Sequence, residues 1–244
     1  MKLKIMTYNV CSGRNFNNEK VINICDAGKV IQKYSPDIVG LNEIWGLNIN
    51  DELLTNQAQT LAEMLGYYFY FAKAIDFDRG GPYGNALLSR FPILSADTIS
   101  IDDPPIHDEN VYYETRCILK AQLDISGGLD VYVSHYGLAN REKLNAVKKT
   151  VELIKSDTNS LIFMGDLNMQ PDDEKLKPLF EIMQDTANVS NDGLLSFPSD
   201  APNCKIDYIF TSKDMHIVSA QVPAETTSDH RPYLAEIELT GPIT

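Results

Sequence analysis

The feature that most constrains this chain is its alternation between two hydrophobic periods. Short runs of β-branched and aromatic residues, which read as strands, are separated by longer segments with apolar residues at helical spacing. A chain patterned this way is expected to fold in the α/β class, with strands layered against helices. Lys2 to Val10 reads as a strand, and Val21 to Tyr34 carries a helical stripe at positions 21, 24, 25, 31 and 34. "DIVGLNE" returns to strand, and a second helix is expected over Asp51 to Leu65. "YYFYFAKA", "GNALLSR", "ETRCILKAQLDI" and "LDVYVSHYG" follow as strands, with Gly127 and Gly128 marking a hairpin turn between the last two. Strands this close in sequence are expected to pair antiparallel. A third helix is expected from Asn140 as N-cap, with Leu144, Val147, Val151 and Ile154 on one face. "SLIFMGDLN" is a strand, and Pro171 suits the first turn of a further helix ending near Met183. "KIDYIFTS", "MHIVSAQV" and "RPYLAEIEL" close the chain as strands.

No repeat, low-complexity tract or Pro/Ser-rich linker divides the sequence, so residues 1–244 read as one mixed α/β domain. Its 43% apolar content is enough for a sizeable core. Lys and Arg number 21 against 34 Asp and Glu, and the net charge of -13 repels polyanions instead of gathering them. "MKLKIMTYNV" lacks the apolar h-region and cleavage site of a signal peptide. No apolar run approaches the roughly 18 residues that span a bilayer. A monomeric, cytoplasmic protein with no membrane span is therefore expected. Cys11, Cys25, Cys117 and Cys204 are far apart with no metal-binding spacing, and read as reduced, mostly buried small apolar residues. Ala74 to Tyr83 and Asp102 to Asn110 are the least regular stretches, the kind of loop that carries specificity.

Polar residues recur where apolar strands end. Asn9 stands inside "IMTYNV", Glu43 ends "IVGLNE", His135 ends "VYVSH", Asp166 and Asn168 end "LIFMGDLN", and Asp229 and His230 begin "SDHRPYLAEI". Taken singly, each has an ordinary structural explanation. Asp207, between Ile206 and Tyr208, needs a partner or it would protonate, and a histidine is the simplest one. Asp166 and Asn168 point to one face of an extended chain and can hold one small object between them. The set is oxygen-rich and thiolate-free, which suits Mg²⁺ or Mn²⁺ better than a structural zinc.

These motifs resemble those of the endonuclease/exonuclease/phosphatase superfamily, the deoxyribonuclease-like metal-dependent phosphoesterases. "TYNV", "LNE", "GNALLSR", "ETRCILK", "SHYGL", "GDLN", "KIDYIF" and "SDHRP" occur in the family's order from residue 7 to 232. The resemblance implies a four-layer α/β/β/α sandwich of two mixed sheets flanked by helices, with the site at one sheet edge. It implies Glu43 as the main metal-ligating carboxylate, Asn9 beside it on the metal or the phosphate, and Asp229 completing the metal shell. Asp166 would orient or deprotonate the attacking water, and Asn168 would hold a phosphate oxygen. His230 would contact the phosphoryl group with Asp207 on its ring, and His135 would be a second phosphate-stabilising group. Arg116 is at a position the family often fills with arginine, where it either contacts the phosphate or pairs with a carboxylate. Asn42 stands where the family commonly has glutamine, and the neighbouring carboxylate is expected to tolerate the change. "SH" at 134 and 135 resembles phosphatase-like and tyrosyl-DNA phosphodiesterase-like members more than apurinic endonucleases.

Charge is the best guide to substrate. A protein gripping duplex DNA needs a basic stripe, yet the two irregular loops carry Asp76, Asp78, Asp102, Asp103, Asp108 and Glu109. Trp45, Phe77, Arg79 and Tyr83 either form an aromatic wall with one cation for substrate or pack under loops. The expectation is a divalent-metal-dependent hydrolase of a phosphodiester or phosphomonoester on a small molecule, lipid head group or short nucleotide. A nuclease acting on DNA or RNA is the alternative within that chemistry. A catalytically silent module that binds a phosphorylated ligand or a protein is the alternative outside it.

Overall fold

The computed structural model describes residues 1–16, 18–46, 56–77, 81–125 and 127–239. One six-stranded sheet contains β1 (Lys2–Asn9), β4 (Ile38–Trp45), β5 (Tyr68–Phe77), β6 (Gly81–Ser89), β13 (Met215–Gln221) and β14 (Tyr233–Leu239), in the order β13-β14-β1-β4-β6-β5. The other contains β7 (Ile93–Ser100), β8 (Cys117–Leu123), β9 (Leu129–His135), β10 (Ser160–Asp166), β11 (Gln184–Asp185) and β12 (Asp207–Thr211), in the order β11-β12-β10-β9-β8-β7. The short pair β2 (Arg14–Asn15) and β3 (Asn18–Ile22) stands apart. Both sheets are mixed. β1 runs parallel to β4 and β9 parallel to β10, each pair bridged by a helix, α1 (Ile24–Tyr34) or α3 (Asn140–Ser156). α2 (Gln57–Leu65) and α4 (Lys177–Ile182) complete the set.

Strand period explains the layers. In β1, Leu3 and Ile5 enter the core between the sheets, while Met6 and Tyr8 pack outward with Ala27 and Ile31 of α1 and Leu61 of α2. In β10, Ile162 and Met164 face inward while Leu161 and Phe163 face Ala146 and Val147 of α3 and Leu179 of α4. Successive side chains of a strand alternate between faces, so each strand supplies two of the three apolar layers. The result is the four-layer α/β/β/α sandwich. Extending the inward series to the strand ends gives Asn9 in β1, His135 in β9, Asp166 in β10 and Asp207 in β12. The period that builds the inter-sheet core therefore places these polar groups at its rim.

Several local expectations are corrected. Val21 and Ile22 belong to β3, and α1 starts at Ile24 after Asn23, whose Oδ1 accepts the Cys25 N–H at 3.2 Å. α2 starts at Gln57 behind the cap Asn56, and residues 51–55 lie outside the described residues. The N-cap of α3 is Ala139, one residue before Asn140, because Glu142 reaches back to accept the Ala139 N–H at 3.0 Å. Pro171 precedes any helix; a 3-10 turn at Glu174–Leu176 leads into α4, with Pro178 in its first turn. β7 has no counterpart in the sequence reading, since an edge strand exposed at most positions lacks an apolar period. All four cysteines are free, but only Cys117 is buried, and Cys11, Cys25 and Cys204 are half-buried. The β8–β9 hairpin forms as expected, with Gly127 and Gly128 at φ +94° and +105°. Among the described residues no helix is long and apolar enough to cross a membrane.

Candidate active site

Three strand ends meet at one rung of the second sheet. Asp166 pairs with His135 across the parallel β10–β9 ladder and with Asp207 across the antiparallel β10–β12 ladder. Gly165 makes this rung possible, because at its φ of +145° a Cβ would stand 1.8 Å from Ser134 O. The Asp166 N–H donates to Asn42 Oδ1 at 2.9 Å, across the core in the other sheet. Asn42 Nδ2 lies 2.8 Å from Asn85 Oδ1 and 3.1 Å from Ser134 O, so one fully buried amide ties both sheets together beneath the site.

The first sheet contributes Asn9 and Glu43. Asn9 Nδ2 lies 3.1 Å from Glu43 Oε1 and 3.1 Å from Asp166 Oδ2, while its Oδ1 accepts the Cys11 N–H at 3.1 Å. Glu43 has φ +60° in a stretch where the β4–β6 register shifts between Leu41 and Ile44. A break of this kind re-aims a side chain that regular alternation would send elsewhere. Asn168 also has positive φ, +51°, and its N–H donates to Asp166 Oδ1 at 2.9 Å. Its Nδ2 donates to Tyr136 O at 2.9 Å and lies 3.2 Å from His135 Nε2.

His230 stands between two carboxylates. Nδ1 is 2.8 Å from Asp207 Oδ2 and Nε2 is 3.6 Å from Asp166 Oδ2. Ser196 Oγ donates to the same Asp207 oxygen at 2.5 Å, and Phe197 packs against the imidazole with ring centroids 4.8 Å apart. Burial pushes His230 down, but the Asp207 and Asp166 charges outweigh it and hold the ring protonated up to about 10. Burial pushes Asp166 up to about 7, against the pull of the His230 cation, the Asn168 N–H and the Asn9 amide, with the Asp207 charge adding to the rise. His135 is pressed well below its ordinary value by burial and by the Arg116 and His230 charges, so it is neutral. Two histidines flank one aspartate in opposite charge states.

Asp166, Asp207 and His230 bring ligand atoms within 4.8 Å of one another. That trio is better read as a proton-holding network, because both His230 nitrogens already face carboxylates. Glu43 and Asp229 are further carboxylates close enough to Cys11 to act on it, and could serve a cation beside that trio. Burial, and then the Asp229 and Glu43 charges, push the Cys11 thiol up to about 12, which keeps that sulfur a neutral thiol. Ser228 Oγ lies 2.8 Å from Asn9 O and 3.1 Å from Asp229 Oδ1, tying the "SDH" segment to the end of β1. Carboxylate oxygens with an amide beside them fit a hard divalent cation.

The proposed substrate residues separate. Arg116 is turned to protein: Nη1 lies 2.7 Å from Glu114 Oε1, an ion pair by proximity, and 3.0 Å from His135 Nδ1. Trp45, Phe77 and Tyr83 form one aromatic cluster with centroids 5.0 to 5.7 Å apart. Tyr83 is buried, and its hydroxyl interacts with Glu43, so it meets the site through its oxygen. Arg79 lies outside the described residues. Sequence reasoning took Asn42 only as a tolerated change, and missed its supporting role along with those of Asn85, Ser196 and Ser228. An amide inside an apolar strand, as in "GNALLSR", was available as a signal for Asn85, and Ser228 opens the "SDHRP" motif; nothing local marks Ser196.

The model of the Endonuclease/Exonuclease/phosphatase family matches residues 6–230. Comparison with curated protein sequences gives no match. Among solved structures, the endonuclease/exonuclease/phosphatase from Bacteroides vulgatus is similar with a TM-score of 0.79 at 19% identity, covering 98% of this chain and 99% of that one. A mannosyl-6-phosphatase from Bacteroides thetaiotaomicron VPI-5482 has a TM-score of 0.77 at 16% identity, covering 97% and 99%. The human Nocturnin catalytic domain, solved with a bound sulfate anion, has a TM-score of 0.70 at 18% identity, covering 98% and 94%. At these identities the structural likeness is one of fold, whereas the family match runs from before Asn9 to His230 and so spans the whole rung and both flanking histidines. The chain belongs to the endonuclease/exonuclease/phosphatase family and is a phosphoester hydrolase.

Proposed function

We propose that this enzyme hydrolyses a phosphodiester or phosphomonoester on a small molecule, lipid head group or short nucleotide, by in-line attack of a water positioned by Asp166. The observation that carries the reading is the rung of His135, Asp166 and Asp207 with His230 against it. Asp166, raised to about 7 by burial, is matched to accepting a proton near neutrality. Asn168 holds a phosphoryl oxygen, and His135 and His230 place N–H donors on the equatorial oxygens, where negative charge must be offset. Asp207 accepts the hydrogen bond from His230 Nδ1–H and so keeps Nε2–H turned toward the reaction. Glu43 and Asp229, with Asn9 alongside, would hold Mg²⁺ or Mn²⁺, which supplies charge neutralisation at the phosphoryl group. The same reading takes residues 1–244 as one domain and the protein as a cytoplasmic monomer.

The acidic balance and the carboxylates of the 102–110 loop favour a compact substrate over a long duplex. The test is a panel of nucleotide, inositol, choline and sugar phosphoesters assayed with Mg²⁺ and Mn²⁺. Turnover of at least one compact ester, abolished by EDTA and by Asp166→Ala, is expected. Turnover that survives both treatments sinks the mechanism, and salt-sensitive cleavage of DNA alone moves the assignment to a nuclease.

A further inference from the structure

Both ring nitrogens of His135 are engaged. Nδ1 lies 3.0 Å from Arg116 Nη1, and Nε2 lies 3.2 Å from Asn168 Nδ2 and 3.5 Å from Asp166 Oδ2. A guanidinium donates hydrogen bonds, accepts none and stays charged at every pH a protein survives. Both ring nitrogens face N–H donors, and the permanent cation at the shorter distance outranks the neutral amide, so Nδ1 is the nitrogen without a proton. We infer that Arg116 is a positioning residue that fixes His135 as its Nε2–H tautomer, aimed at the Asp166 carboxylate and at a phosphoryl group bound beside it.

The competing states fail on the same geometry. The other neutral tautomer sets an N–H against a permanent cation at 3.0 Å and gains only an accepted bond from the Asn168 amide. Asn168 does not depend on that bond, because its Nδ2 already donates to Tyr136 O at 2.9 Å. The same carbonyl determines which way round the amide sits, which leaves Asp166 Oδ2 as the acceptor for Nε2–H. An imidazolium would place an added charge in a buried position between Arg116 and the His230 cation, all of which oppose it. Arg116 is itself held in place. Glu114 stands 2.7 Å away with both side chains nearly buried, and the Glu114 N–H donates to Glu142 Oε1 on the first turn of α3. A chain of contacts thus runs from α3 through Glu114 and Arg116 to the imidazole. The two histidines divide the work: His230 presents a charged donor, His135 a neutral and directed one.

Only the kinetic arm of the test rests on the hydrolase reading; the tautomer is measurable without it. Histidine-labelled, metal-free protein at neutral pH is expected to give a ring ¹⁵N spectrum for His135 with Nε2 protonated and Nδ1 bare. In Arg116→Met the Nε2–H signature should give way to the other tautomer or to a mixture. On any ester that the panel identifies, kcat should fall about 10- to 100-fold at nearly constant KM, at or below the bottom of the range for losing a positioned proton donor outright, because Arg116 acts only through the ring. Arg116→Lys, whose ammonium still donates to Nδ1, should recover most of the tautomer and the rate. A protonated Nδ1 or an imidazolium in the wild-type ring overturns the inference, as does an unchanged tautomer in Arg116→Met. The wild-type spectrum decides the matter even where a variant does not fold. A panel with no turnover counts against the hydrolase reading and leaves the spectrum to be judged separately.

Discussion

Asp166 combines a carboxyl that burial lifts to about 7 with a neighbour, His230, that Asp207 and Asp166 keep charged up to about 10. The proposed mechanism needs the first deprotonated and the second protonated. Activity should therefore rise with pH along an acidic limb no higher than about 7 and fall along an alkaline limb near 10, and a kcat/KM profile checks both. Asp207→Asn removes the largest of the charges that support His230, so the alkaline limb should move down by at least one pH unit, roughly the scale of a lost close ion pair. A limb that stays in place would show that another group sets it. The same ring carries a stability signature. Its folded pKa lies above the ordinary histidine value of 6.5, so its stabilisation is complete below that pH and is lost as pH rises through about 10. That Asp207 would need a histidine was legible in "KIDYIF", because a carboxylate in an apolar strand has few other ways to stay charged. That Ser196 would share the same oxygen was not, since the serine sits in a loop without pattern.

At the scale of elements, the site depends on how strand ends are stitched. Asn42 accepts the Asp166 N–H and lies within hydrogen-bond distance of Asn85 Oδ1 and Ser134 O, all without access to water. Asn42→Leu keeps the volume but strands these groups, and should cost about 2–4 kcal/mol in denaturant unfolding along with most of the activity. Gly165→Ala should cost at least about 2 kcal/mol, because the new methyl meets backbone, with no flexible side chain there to yield. A variant within about 0.5 kcal/mol of wild type at either position would contradict this account of the rung. The strands themselves were legible wherever their faces differed in polarity. β7 was hidden by its exposure, and the start of α3 by Glu142, which does from inside the helix what a capping side chain does from outside.

At the scale of the molecule, the second sheet is closed at one edge by a buried ion pair. Lys205 Nζ lies 3.2 Å from Asp185 Oδ2 and 3.2 Å from the Tyr208 ring centroid, with its side chain 4% exposed. Burial lowers this lysine from 10.5 to about 8 despite Asp185. Between those values the unfolded chain binds the extra proton, so this group makes stability rise with pH from about 8 to 10.5, and below that its cost is constant with pH. Asp185→Ala leaves the ammonium buried without a counter-ion and should destabilise by about 3–5 kcal/mol. The double variant Asp185→Ala with Lys205→Met should be less destabilised than that single variant, and equal or greater loss would argue that the pair is not coupled.

The sequence by itself determined which residues reach the inner face and the strand ends, because side-chain alternation is local and needs no knowledge of neighbours. It thereby singled out Asn9, His135, Asp166 and Asp207 as polar residues of apolar strands, and its motif order identified the family. Tertiary structure decided the partners. Asn9 meets Asp166 across 157 residues of chain, Arg116 turns to His135 instead of solvent, and a register shift re-aims Glu43. Those outcomes depend on strand order and on register between segments far apart in sequence, and no local period encodes either.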